Sequence, residues 1–198
     1  MLIEGLVLSL VVGKIRGGKF KGLGQTPIRN VWLFIMAFIL EFATLFAASA
    51  GVSLVADYIM YLHTASYILL FAAIISNREH RSMWLVLLGS MLNFLVIFIN
   101  GGAMPVAVEA LNNKGLYDYA QMISTGGMVT HQPLTDLTKL PFLADIIILP
   151  AAYPLPKVHS IGDIIISLGI FLFVQKAMLQ EKIMRQSRMI RFKYKGRI

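Results

Sequence analysis

The chain has 198 residues, 57% of them hydrophobic and only 14% charged, with a mean hydropathy of +0.72. Soluble domains are typically ~45–50% apolar and ~25% charged, so water could not solvate this surface, and the composition points to an integral membrane protein of a single domain. The net charge of +8 sits in loops beside apolar stretches, the membrane pattern rather than a nucleic-acid one, and the absence of cysteine excludes disulfides, thiolate nucleophiles and cysteine metal sites.

In chain order, residues 1–13 are apolar apart from Glu4 and are expected to form a short first helix. A signal peptide fits poorly, because the positive charges follow the apolar run instead of preceding it. Residues 14–30 are expected to be a flexible, basic, glycine-rich loop carrying Lys14, Arg16, Lys19, Lys21 and Arg29. No strand precedes its glycines and no Gly-Lys-Ser/Thr occurs, so anionic lipid headgroups are the expected neighbours rather than a bound nucleotide. Further spans are expected over residues 31–50, 57–76, 83–99 and 161–175, with a tight charged turn at 77–81. The tail, 176–198, reads as a basic helical continuation of the last span lying along the membrane surface, with Leu179, Ile183 and Ile190 near helical spacing. It has no aromatic platform for single strands, and no nucleic-acid partner is expected.

Lysine and arginine in short loops set orientation. The loop at 14–29 has five, the turn at 78–81 two and the tail eight, against Lys114, Lys139 and Lys157 elsewhere. An all-α protein of about five transmembrane helices puts the three basic segments on the cytoplasmic side. The N-terminus is then outside, the C-terminus inside, and residues 100–160 form an extracytoplasmic cap.

Ionisable and amide side chains within spans cost several kcal/mol unless they face the bundle or water. Glu41, His63, Asn93, Asn100, Glu4 and Asp163 all fall at mid-depth or toward the outer side in this topology. They suggest an outward-facing polar pocket, with Glu41 and His63 close enough across a hairpin to pair. Interhelical hydrogen bonding is the plainer reading, and the better one for Asn93. The histidines show no metal-ligand spacing, and neither a metal nor a cofactor is expected.

The cap is dense in Gly and Pro and is expected to be shaped, because Phe142 to Leu149 is strongly apolar; that run is a strand or a segment dipping into the outer leaflet. Asp145 lies inside it and Asp163 opens the last span. Two carboxylates brought together in a poorly solvated site share a proton, one acting as base and one as acid. Equally, Ser160-Ile-Gly-Asp163 has the spacing of a capping box, which would make Asp163 a helix-start device. Asp136 reads as a turn or cap residue, and His131 as a loop histidine or part of the pocket.

Asn100-Gly-Gly-Ala-Met-Pro105, then His131-x-x-Leu-Thr-Asp136-x-Thr-Lys-Leu-Pro-Phe-Leu-Ala-Asp145, then Ser160-Ile-Gly-Asp163-Ile-Ile-Ile-Ser-x-Gly169 together resemble a bacterial integral membrane family of unknown function. That resemblance implies a bacterial cell membrane and carries no activity. Phe142-Leu-Ala-Asp145 followed by Ser160-Ile-Gly-Asp163, with Asn100-Gly-Gly-Ala103, is also similar to the aspartate-dyad region of lipoprotein signal peptidases. There Asp145 and Asp163 would be catalytic and Asn100 would position substrate. Ser160 and Gly162 stand where those enzymes have Asn and Ala, their Asn-Gly motif follows the first span, and they have four spans. Three readings follow: an accessory or binding subunit with a possible protein partner in the membrane, an intramembrane aspartyl peptidase, or a small transporter using Glu41 and His63. The third is disfavoured because the inner halves of the spans lack polar residues.

Overall fold

The computed structural model describes the backbone of residues 2–149 and 158–195, and side chains of 4–149 and 158–180 except Ser53. The turns expected at Pro150, Pro154 and Pro156, the charge at Lys157, and the side chains of Ile183 and Ile190 lie outside the described residues. Among the described residues the fold is mostly helical, with four short strands and one 3-10 turn. The helices are α1 (Leu2–Ile15), α2 (Phe20–Gln25), α3 (Val31–Ser49), α4 (Ser53–Ser76), α5 (Met83–Ile99), α6 (Val108–Asn113), α7 (Tyr117–Ser124) and α8 (Ile161–Lys195).

Three of these helices, over Val31–Ser49, Leu54–Ser76 and Ile161–Gln180, are long and apolar enough to cross a membrane; α5 is a shorter apolar helix of 17 residues and α1 has 14. Only 17% of the apolar window of α3 is buried. Its exposed Phe38, Phe42 and Phe46 therefore need a non-aqueous surround. α4 begins a few residues before the expected span. The basic loop contains the two-turn α2, which packs on α8, instead of being a wholly flexible connector. α8 continues unbroken from the last span into the tail, as one helix of 35 residues.

The helices pair as α3 with α4, α4 with α5, α5 with α8 and α1 with α8. Glycine sets the α5–α8 distance: a Cβ at Gly89 would meet the Gly162 carbonyl oxygen, and one at Gly162 would meet that of Gly89 and the Asn93 side chain. Small residues at helix crossings let backbones approach closely where lipid supplies no hydrophobic drive to associate. α1 is pinned to α8 by polar contacts. Gln175 Nε2 donates to the Ser9 carbonyl (2.6 Å), and Arg16 Nη1 donates to Gln175 Oε1 (3.0 Å).

The two ends of the bundle differ in chemistry. At one end, Arg29 N–H donates to Asn77 Oδ1 (2.7 Å), Asn77 Nδ2 donates back to the Arg29 carbonyl (2.8 Å), and the His80 ring N–H donates to the Pro27 carbonyl (3.0 Å). Lys19 N–H donates to the Met178 carbonyl (2.9 Å). The basic loop, the charged turn and the start of the tail thus meet. At the other end sits the cap. Strand β1 (Met104–Val106) pairs in parallel with β2 (His131–Pro133), and β3 (Ile147–Ile148) pairs antiparallel with β4 (Val158–His159). The cap has its own small core of Val106, Leu111, Ala120 and Ile123, which is why a Gly- and Pro-rich segment holds a shape. Gly102 supports the junction: at φ +96 its bare Cα faces the Met60 backbone of α4, which a Cβ would approach to 2.8 Å.

Candidate functional site

Asp163 is built into the start of α8. Its N–H donates to Ser160 Oγ (3.0 Å), and its Oδ2 accepts from the Ser160 N–H (3.2 Å), the reciprocal pair of a capping box. Asn93 of α5 closes the ring: its Nδ2 donates to Asp163 Oδ1 (2.8 Å) and its Oδ1 accepts from Ser160 Oγ (2.7 Å). His159 adds an imidazole nitrogen 3.7 Å from Asp163 Oδ2. Both oxygens of Asp163 are therefore occupied.

Asp145 is placed quite differently. After the 3-10 turn Pro141–Leu143, its N–H donates to the Pro105 carbonyl (2.9 Å) and its carbonyl accepts from Ala107 N–H (3.2 Å), which fixes it beside β1. The residue is 5% exposed, yet Oδ1 is buried with no hydrogen-bond partner. Oδ2 lies 3.8 Å from His131 Nε2, too far for a hydrogen bond. Burial, reinforced by the charge of nearby Asp163, pushes the Asp145 carboxyl up to about 7. Burial, with a further contribution from the charge of His63, pulls His131 down to about 4. The usual order, in which histidine holds a proton that aspartate has lost, is inverted. Near neutral pH this pair is an uncharged imidazole beside a carboxyl that holds its proton far above the usual carboxylate range, not a salt bridge. His131 Nδ1 is hydrogen-bonded with Thr130 Oγ1 (2.8 Å), and the Tyr119 ring stands edge-on to the imidazole at 6.4 Å.

A third titratable group belongs to the α3–α4 hairpin. His63 Nδ1 lies 3.0 Å from Glu41 Oε1 and 3.2 Å from Oε2, and Ser66 Oγ donates to Oε2 (2.8 Å). Tyr67, one residue on, is within electrostatic reach of Glu41, Asp145 and Asp163 together. The helix pair and the cap thus contribute to one cluster holding three histidine–carboxylate pairs.

The structure brings Glu41 and His63 into contact, joins Asn93 to Asp163, and sets His131 beside Asp145. It does not bring Asn100 or Asp136 to these groups. Asn100 clamps the cap: Nδ2 donates to the Val96 and Lys139 carbonyls (2.8 and 2.9 Å), and Oδ1 accepts from Lys139 N–H (3.0 Å). Asp136 is exposed on a turn closed by Thr135 N–H donating to Thr138 Oγ1 (2.9 Å). No hydrogen bond joins the Asp145 and Asp163 carboxylates among the described residues, nor are three His, Asp or Glu side chains arranged there to hold a metal. Sequence reasoning passed over Ser66, Tyr67, Tyr119 and the pairing role of His159. One left a signal: Ser66 lies three residues from His63, a spacing that puts both side chains on one face of α4; His159 precedes α8, on β4, and only the fold sets it beside Asp163.

These features define a class: a mostly helical protein with helices of membrane-crossing length, and a partly buried set of histidine–carboxylate pairs under a folded cap. Within that class, the chain belongs to the family of unknown function DUF5317, whose model matches residues 25–175. An uncharacterized protein of Thermotoga maritima is similar, 24% identical over 173 residues that cover 87% of this chain and 89% of the relative. No solved structure matches.

Proposed function

We propose that the protein is a four-span bacterial cell-membrane subunit that binds a small polar ligand from the extracytoplasmic side, in the cluster beneath the single-domain chain's cap at residues 100–160. The 17-residue α5 adds a fourth span, while α1 runs beside residues 167–178 of α8, toward the basic end that faces cytoplasmic anionic lipids. What carries the reading is Asp145 Oδ1, a fully buried acceptor left without a donor. An acceptor buried without a donor costs about 1–3 kcal/mol, which a ligand N–H or O–H would offset, and His131 beside it supplies a second polar contact. Glu41 and His63 form the inner wall, and Asn93 holds Asp163 in place. The test is native mass spectrometry of protein purified in mild detergent. A small-molecule adduct on the wild type that is lost in Asp145→Asn and kept in Asp136→Asn is the expected result. A wild type that carries none, or an adduct indifferent to Asp145, overturns the reading.

A second reading is acid–base chemistry at Asp145, with Asp163 as the neighbouring carboxylate of an aspartyl peptidase. One observation favours it: the Asp145 carboxyl is buried with no donor to Oδ1, and that burial pushes its titration up toward the working range of a general acid or base. Against it, Asp163 is committed on both oxygens to Asn93 and Ser160, where a dyad shares a proton between its two members.

A further inference from the structure

The segment that runs from the cap turn at Thr135 to Ile146 has a different character from the rest of the cap. Leu137 is 90% exposed, on a turn ordered by the Thr135–Thr138 hydrogen bonds. Phe142 is 57% exposed and Ile146 41%, while the intervening Leu143, Ala144 and Asp145 are buried. An ordered backbone that presents three large apolar side chains outward needs an apolar surround.

Its height along the bundle can be read from the contacts. The two Asn100–Lys139 hydrogen bonds hold the segment level with the last residue of α5. Gly102 abuts Met60, which puts exposed Tyr58 and Tyr61 of α4 near the same height. At the basic end, Trp32 and Trp84 are exposed at the starts of α3 and α5. Trp and Tyr collect at the two water–membrane boundaries. The sixteen residues from Trp84 to Asn100 separate these belts by about 24 Å, close to the ~30 Å of a hydrocarbon core. Asn93, level with the start of α8, is seven residues below Asn100, or about 10 Å. The 3-10 turn Pro141–Leu143 touches both α5 and α8. The segment therefore descends from the outer boundary toward Asp163, with its buried backbone bonded to β1 as non-helical chain at that depth requires.

We propose that residues 137–146 are an outer-leaflet anchor: Leu137 sits at the headgroup boundary, Phe142 and Ile146 lie against acyl chains, and Lys139 is placed among lipid phosphates. Exposed Asp136 keeps the tip shallow. The occupant of this face is lipid, because the face is continuous in height with the exposed Met91, Leu95 and Phe98 of α5.

The inference rests on α5 being a span, and the experiment separates the two. The chain has no cysteine, so single cysteines at Leu137, Phe142, Met91 and Lys114 can each carry an environment-sensitive fluorophore in phosphatidylcholine–phosphatidylglycerol nanodiscs. Nitroxide lipids labelled at the headgroup or deep in the chain serve as quenchers. Expected is a blue-shifted emission at 137 and 142, quenched more by the shallow nitroxide at 137, with deep quenching at 91 and a water-like spectrum at 114. Water-like emission at 137 and 142 with deep quenching at 91 overturns the anchor alone. Emission shielded from both water and nitroxides at 137 and 142 also overturns it, since protein then covers the face. Water-like emission at 91 removes the span and the anchor with it.

Discussion

Replacing Asp145 by Asn should stabilise the protein, and only on the alkaline side. The amide keeps the shape of the side chain and removes its charge. A carboxyl that titrates near 7 when folded and near 3.8 when unfolded binds more protons in the folded state between those values. Stability therefore falls as pH rises through that window, and the penalty is complete above about 7 and absent below about 4. At 1.36 kcal/mol per pH unit the full penalty is roughly 4 kcal/mol, an upper bound because partial unfolding and water entry relieve it. The measurement is thermal unfolding in mild detergent, followed by far-ultraviolet circular dichroism at pH 4, 6 and 8. Asp145→Asn should match the wild type at pH 4 and exceed it progressively at 6 and 8. A variant that is less stable than the wild type at pH 8, or a difference that does not grow with pH, would mean that Oδ1 has a donor and that the ionised form is the one the fold supports.

His131 should behave with the opposite sign. Its folded value near 4 lies below the usual 6.5, so its contribution to stability is lost as pH falls from about 6.5 to 4; His131→Asn should shrink the acid-side loss by up to ~3 kcal/mol in the same unfolding series. Asn93→Ala strands the Ser160 hydroxyl and one Asp163 oxygen, and should cost about 1–4 kcal/mol, bounded by measured interhelical bonds of ~0.6 each and by the penalty for buried unpaired groups. An equal effect in an Asp163→Asn background would refute the direct contact, since neighbours in one network are not additive. Gly162→Ala drives a methyl into Asn93 and the Gly89 carbonyl, and should cost at least ~1–3 kcal/mol of overpacking by the same assay.

Much of the helical organisation is visible in the sequence because long apolar runs must satisfy every backbone group internally, which a helix does within a single segment. The pairing of Glu41 with His63 follows from two titratable groups on a short hairpin. The capping box at Ser160 and Asp163 follows from residue type and spacing alone. The cap is less legible. Its strands have two or three residues each, too few for an alternating pattern, and β1 meets β2 across some 25 residues that hold two small helices. Phe142 to Leu149 reads as one apolar run; the structure divides it into a 3-10 turn, a buried Asp145 and a short strand. The inverted proton affinities of Asp145 and His131 are not legible at all, because they depend on burial by residues distant in sequence.

α8 begins at the capping box and runs for 35 residues, about 52 Å from end to end. Geometry makes it an amplifier. A tilt of about 5° pivoting at Ser160 displaces the far terminus by some 4–5 Å over that length. The Gln175–Ser9 and Lys19–Met178 hydrogen bonds farther along the helix are what hold such a tilt in check.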